Sequence, residues 1–230
     1  MPDQILLIAD ERILKVPIIE NQEVMIDLKD QADIAYGPSP EIPDNQEYTQ
    51  LRLTVYNKLK EAQKLLPQGL RFCLYEGYRS LETQKKLFEK HYKQLQDAHP
   101  EWDHERCFQE TLRLVSPVIN KDGSVNVPPH ATGAAVDIYL IDDQGVCVDM
   151  GILVKDWLTD IHGELSVTDS NKISPQAKVY RKIMGEALEA VGFVNYFTEY
   201  WHWSYGDRYW AYHKKVIHAH YGAVLTISRR

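Results

Sequence analysis

Apolar residues recur every three or four positions between Tyr48 and Leu66, at Leu51, Val55, Leu59, Ala62, Leu65 and Leu66, and Pro67-Gln68-Gly69 interrupts them. That spacing predicts an amphipathic helix with a sharp stop. The next residues, Leu70 to Tyr75, alternate instead with a period of two, which predicts a strand carrying Leu70, Phe72 and Leu74 on one face. The strand runs into Glu76-Gly77-Tyr78-Arg79-Ser80, so Arg79 falls where a core strand ends. Ser80 is placed to cap a second helix through about Leu95, and Pro100 to open a third to about Val115, both with charged outer faces. Alternation returns at Val136–Leu140, with Val136, Ile138 and Leu140 on the buried side and Asp137 and Tyr139 opposite. Ser174-Pro175 marks the start of a helix reaching about Val191, Gly192 closes it, and Phe193-Val194 begins another strand.

The N-terminal run Ile5–Ile8 reads as a strand, residues from about Ile13 to Tyr36 as short strands and turns, and the proline-rich run from Gly37 to Asp44 as a loop. Strands separated by helices without a regular alternation predict an α+β fold with a central antiparallel sheet flanked by helices. No internal repeat or low-complexity segment interrupts it. The expected organisation is a single domain over residues 1–230.

A chain of 230 residues with 44% apolar residues can bury a full core without disulfide or metal staples. Its formal net charge of -7 and scattered basic residues give no footprint for nucleic acid. Cys73, Cys107 and Cys147 are odd in number, far apart and without a Cys-x-x-Cys pair, and read as reduced residues rather than a disulfide framework or thiolate metal site. The N-terminal apolar run is short, has acids on both sides and lacks a basic region, so it does not read as a signal peptide. No stretch approaches the roughly 20 apolar residues of a membrane span. A soluble, cytoplasmic protein is expected, with no membrane partner; oligomeric state is open.

Candidate chemistry lies in two distant segments, His130-Ala131-Thr132-Gly133-Ala134-Ala135-Val136-Asp137 and Glu199-Tyr200-Trp201-His202. A catalytic zinc takes three protein ligands of the His and carboxylate type and leaves a fourth position open. His130, Asp137 and His202 are such a set, and Glu199 is a carboxylate able to take a proton from a water there. Pro128-Pro129 hold the chain extended before His130, and Gly133 permits a tight turn or a close approach. Asp137 among aliphatic residues is costly unless paired or bound to a cation. Glu199 and His202, three apart, cannot share a face of a regular strand, so the strand must bulge, twist or end there. The plain alternatives are a loop histidine, a strand-edge aspartate facing water, and a surface glutamate among core aromatics. His218-Ala219-His220, with His213 or His162, forms a weaker second metal candidate, whereas His91, His99 and His104 read as solvated.

The set Tyr75-Glu76-Gly77-Tyr78-Arg79, His130-x-x-Gly133-x-Ala135-x-Asp137 and Glu199-x-Trp201-His202 resembles the zinc D-alanyl-D-alanine dipeptidases of the VanX type, in the same order, from about Ile18 to Ala211. The wider family shares its α+β fold with zinc D,D-carboxypeptidases and hedgehog-type domains. The resemblance implies one zinc per chain held by His130, Asp137 and His202, Glu199 as catalytic base and acid, Arg79 stabilising the transition state, and D-Ala-D-Ala as substrate. Glu76 would orient Arg79, and Asp149 would support a ligand or line the pocket. Pro128, Pro129, Ala131 and Thr132 stand where hydroxyl residues are expected near the ligand histidine, leaving Thr132 and backbone amides to grip the substrate termini. Two alternatives accompany this reading: a D,D-carboxypeptidase acting on peptidoglycan stem peptides, and a non-catalytic zinc-containing binding domain, which would need neither Glu199 nor Arg79.

Overall fold

A computed structural model describes residues 5–38, 40 and 45–225. The strand predicted from Leu70 is β4 (Leu70–Glu76), and the second alternating segment is β5 (Ala135–Asp142). They pair antiparallel as the centre of a five-stranded sheet. Beyond β5 lie β7 (His202–Ser204) and then β6 (Val194–Asn195), both in antiparallel contact, while β2 (Ala35–Tyr36) covers the β4 edge. The expected antiparallel sheet holds except at that edge, where β2 runs parallel to β4. A separate two-stranded sheet joins β1 (Met25–Asp27) to β3 (Gln50–Arg52).

One face of the large sheet is hydrophobic because Leu74, Val136, Ile138 and Leu140 all project from it. Helices α2 (Leu53–Gln63) and α5 (Pro175–Ala190) cover that face, inserting Val55, Leu59, Met184 and Leu188 into the same cluster. Ser174 caps α5 through Ala177 N, and Pro175 occupies its first turn, where its missing N–H costs nothing. Ser80 likewise caps α3 (Leu81–Ala98), accepting from Thr83 N. Burying Val55, Leu59, Leu74 and Ile138 contributes roughly 1.5–3 kcal/mol each.

Local patterning misplaces several boundaries. The residues before Leu53 form β3, so α2 begins later than its apolar spacing alone indicates. The third helix is α4 (His104–Thr111), started by Asp103 rather than Pro100, because the Asp103 carboxylate accepts from Arg106 N. Residues Ile5–Ile8 form no strand; they lead into a short helix, α1 (Glu11–Leu14), capped by Asp10. Of the Pro-rich loop, residues 39 and 41–44 lie outside the described residues. The cysteines are free, with Cys73 and Cys107 buried.

His91 also corrects the sequence reading. It lies on the buried stripe of α3 with Gln84, Leu87 and Leu95, edge-on to the Trp157 ring at 5.3 Å. Burial, only partly offset by the Gln94 side chain, pulls its pKa down to about 4. The unfolded chain therefore binds this proton near pH 6.5 and the folded chain only near pH 4. Its contribution is complete above pH 6.5 and is lost as pH falls to 4, amounting to about 3 kcal/mol. Urea melts across that window are expected to show the loss in the wild-type chain and a flatter profile in His91→Leu; parallel profiles would remove His91 as the cause.

Candidate active site

The cross-strand register builds the site. Glu76 lies opposite Asp137, and Asp137 opposite His202, so the three form one row across β4, β5 and β7. Directly opposed residues of antiparallel strands project from the same face, here the one opposite Val136 and Ile138. Simple alternation would put Glu76 on the other face with Leu74. A bulge between Leu74 and Glu76 turns it over to meet Asp137. Glu199 precedes β7 in a turn stitched by Asn195 Nδ2, which donates to Glu199 O and His202 O at 3.1 and 3.0 Å. The strand therefore starts at His202, which lets Glu199 and His202 reach the same cavity.

His130 arrives on a single 3₁₀ turn, Pro129–Thr132, ended by Gly133 at φ 68°. Only glycine adopts that conformation without strain, and a Cβ there would also strike the Met25 side chain. The Thr132 hydroxyl is consumed by this turn: it donates to Pro129 O at 2.5 Å and accepts from Ala134 N at 3.0 Å. It is buried in the loop and is not a grip for substrate termini. His130 Nδ1 donates to Gly77 O at 2.7 Å, which turns Nε2 inward. Gly77 is needed for this approach, because a Cβ would meet Gln50 O at 2.7 Å.

Three donor atoms converge. His130 Nε2, Asp137 Oδ1 and His202 Nδ1 stand 3.0, 3.1 and 3.2 Å from one another. Donors about 2.0–2.1 Å from a tetrahedral centre lie roughly 3.3 Å apart, so the triangle has the dimensions of one face of a zinc site. Burial disfavours the charged form of His202, and its pKa falls, leaving a neutral imidazole fit to be a ligand. Burial alone would raise the Asp137 carboxyl, but His130 and His202 beside it pull it well below the usual range. These residues are the sole cluster of three or more such ligands among the described residues. His218 and His220 face each other edge-on at 5.2 Å, and among the described residues no third ligand completes a cluster with them.

Glu199 stands just outside the triangle, its Oε2 3.9 Å from His202 Nδ1 and accepting from Trp201 Nε1 at 3.1 Å. Burial and then the Asp137 charge push its pKa well above the usual value, while Arg79 and Trp201 pull the other way. Arg79 is held by Glu76 in a close ion pair through Nε and Nη2, with Asp137 Oδ2 3.9 Å away. Gln84 Oε1 accepts from Arg79 Nη1 at 2.9 Å, and Asn45 Nδ2 donates to Glu76 Oε1 at 2.5 Å. Sequence reasoning missed both amides. Gln84 had a visible signal, a polar residue on the apolar stripe of α3. Asp149 is elsewhere: it accepts from Ser174 Oγ and Gly151 N, and does not line the pocket.

The pocket holding these groups is small, with a cavity volume of about 60 Å³. Glu76, Asp137 and Glu199 against Arg79 leave it two negative charges in excess when ionised, which a divalent cation would cancel. Donor spacing and charge thus both fit a zinc ion.

Residues 23–220 match the Peptidase_M15 family model, described as D-ala-D-ala dipeptidase. A curated relative, a D-alanyl-D-alanine dipeptidase of Synechocystis sp., is 26% identical over 199 residues, covering 76% of this chain and 78% of its own. Among solved structures, a zinc complex of the vancomycin resistance D,D-pentapeptidase VanY aligns at 17% identity and TM-score 0.40, over 87% of this chain and 90% of that one. The LdcB LD-carboxypeptidase aligns at 16% identity and TM-score 0.38, over 86% and 76%. With the family match extending over most of its length, including every strand of the row that carries Glu76, Asp137 and His202, the chain belongs to the Peptidase_M15 family of D-Ala-D-Ala dipeptidases.

Proposed function

We propose that the chain hydrolyses D-Ala-D-Ala to two D-alanines at a zinc centre held by His130, Asp137 and His202. The observation that carries the reading is the triangle of three buried donor atoms with Glu199 and Arg79 on its border. Bound zinc supplies Lewis acidity and brings the pKa of water towards about 7. Glu199 accepts a proton as water adds to the peptide carbonyl carbon, and returns it to the nitrogen as the C–N bond breaks. The buried setting suits this work, because a carboxylate raised towards neutrality both takes and gives a proton. Arg79, fixed by Glu76 and Gln84, presents a permanent positive charge to the developing oxyanion.

A dipeptide zwitterion has no net charge, matching a pocket made neutral by a divalent cation, and the small cavity suits a free dipeptide better than a peptidoglycan stem. The curated dipeptidase relative supports the same substrate.

Purified protein is expected to carry one zinc per chain and to release D-alanine from D-Ala-D-Ala. Chelation should abolish the release, and stoichiometric zinc should restore it. Zinc bound without dipeptide hydrolysis would sink the substrate assignment; hydrolysis of stem peptides alone would make the chain a D,D-carboxypeptidase, and binding without turnover a non-catalytic domain. Persistent activity in metal-free protein would sink the zinc reading.

A further inference from the structure

The groups assigned to chemistry lie at the sheet end of the pocket, and much of the remaining wall is apolar. Leu87, Val115 and Trp157 in that wall belong to the main core. Ile8 does not. It comes from the segment before α1 and packs in a separate small cluster with Ile13, Tyr196 and Tyr209. Although it precedes Glu199 by 191 positions in the sequence, Ile8 is 8% exposed and lines the same cavity as Glu199 and His202.

Tyr196 explains how it gets there. Its ring stands edge-on to His202 at 5.8 Å, and its hydroxyl donates to Arg113 O at 3.1 Å. One aromatic residue thus ties the N-terminal segment both to the turn after α4 and to the reacting end of the pocket. The cavity has room for roughly five waters. A dipeptide uses that space, whereas each further residue needs about 3.3–3.6 Å of extended path.

We propose that Ile8 sets the length of peptide this site accepts, its side chain being the wall that turns away substrates longer than a dipeptide. This rests on the peptidase reading above and names the substrate class of the same site. Because Ile8 belongs to a satellite cluster, trimming it widens the pocket without cutting the core that holds the sheet.

The test compares zinc-loaded wild type, Ile8→Val and Ile8→Ala on D-Ala-D-Ala and on the tripeptide L-Ala-D-Ala-D-Ala. The ratio of kcat/KM for tripeptide over dipeptide is expected to rise about tenfold or more in Ile8→Ala, with a smaller rise in Ile8→Val. An unchanged ratio in both variants would overturn the proposal, as would a wild-type chain that already cleaves the tripeptide as well as the dipeptide, an outcome that leaves the peptidase reading standing. If Ile8→Ala fails to fold, the graded rise in Ile8→Val decides. Should wild type hydrolyse neither peptide, titration followed by the fluorescence of the pocket tryptophans Trp157 and Trp201 separates the two ideas. Quenching by the dipeptide alone in wild type and by both peptides in Ile8→Ala supports the wall while the hydrolytic reading fails; equal binding of both peptides to wild type, or no binding to any chain, overturns it.

Discussion

Replacing Glu199 with glutamine is expected to cut D-alanine release by about 10²–10⁴-fold while the protein keeps its zinc. The substitution preserves shape and can still face the Trp201 indole, but it removes the oxygen that accepts a proton. Metal retention follows from the geometry, since the triangle is complete without Glu199, whose nearer approach to His202 is 3.9 Å. Steady-state kinetics beside a metal assay on the same sample check both parts. Loss of zinc in Glu199→Gln would show that the carboxylate is a ligand rather than a proton carrier. Near-normal turnover with zinc in place would move the proton to another group and remove Glu199 from the mechanism.

Much of this site was legible because its spacing is written along the chain. Asp137 was visible as a carboxylate in an aliphatic strand, a position that needs a partner, and it found two imidazoles. The three-residue step from Glu199 to His202 forced the inference that the strand is broken there, and β7 does begin at His202. What was not legible depends on contacts between distant segments. The bulge that turns Glu76 towards Asp137 leaves no mark in the alternation of Leu70, Phe72 and Leu74, since it exists only in the pairing with β5. His91 was read by residue type as solvated and Gln84 was passed over, although Leu87 and Leu95 at helical spacing already placed both on the buried face. Thr132 was assigned to substrate because a hydroxyl beside a ligand histidine is free in sequence; in the fold it closes its own turn. Position on the helix or turn decided these residues, not composition.

Arg181 shows the same dependence on fold, and it carries the second large expected effect. It is buried on α5 with no carboxylate in ion-pair contact among the described residues, its guanidinium over the Tyr200 ring at 3.9 Å. Nε and Nη2 donate to Met150 O at 2.9 and 2.7 Å, Nη1 to Val167 O at 2.8 Å, and Nη2 also to Leu165 O at 2.8 Å. Burial pulls its pKa down to about 10, so it stays charged at neutral pH. Carbonyls from both ends of the Met150–Val167 segment thus depend on one planar donor, and that segment supplies Val154 and Trp157 to the pocket. Arg181→Met is expected to cost about 3–5 kcal/mol, because three carbonyls, that of Met150 buried and those of Leu165 and Val167 partly so, lose their partner while the methionine fills only the volume. For a chain of this size the loss corresponds to a fall of roughly 6–20 °C in Tm. Arg181→Lys should recover only a fraction, since an ammonium cannot reproduce the planar fork. Thermal melts of the three chains, with D-alanine release measured well below the lowest Tm, check the link from loop to pocket. A folded Arg181→Met protein should remain impaired, because the wall formed by Val154 and Trp157 has lost its anchor. An unshifted Tm would mean that the loop is held by its own contacts, chief among them Asp160, which accepts from Glu164 N, Leu165 N and Ser166 N.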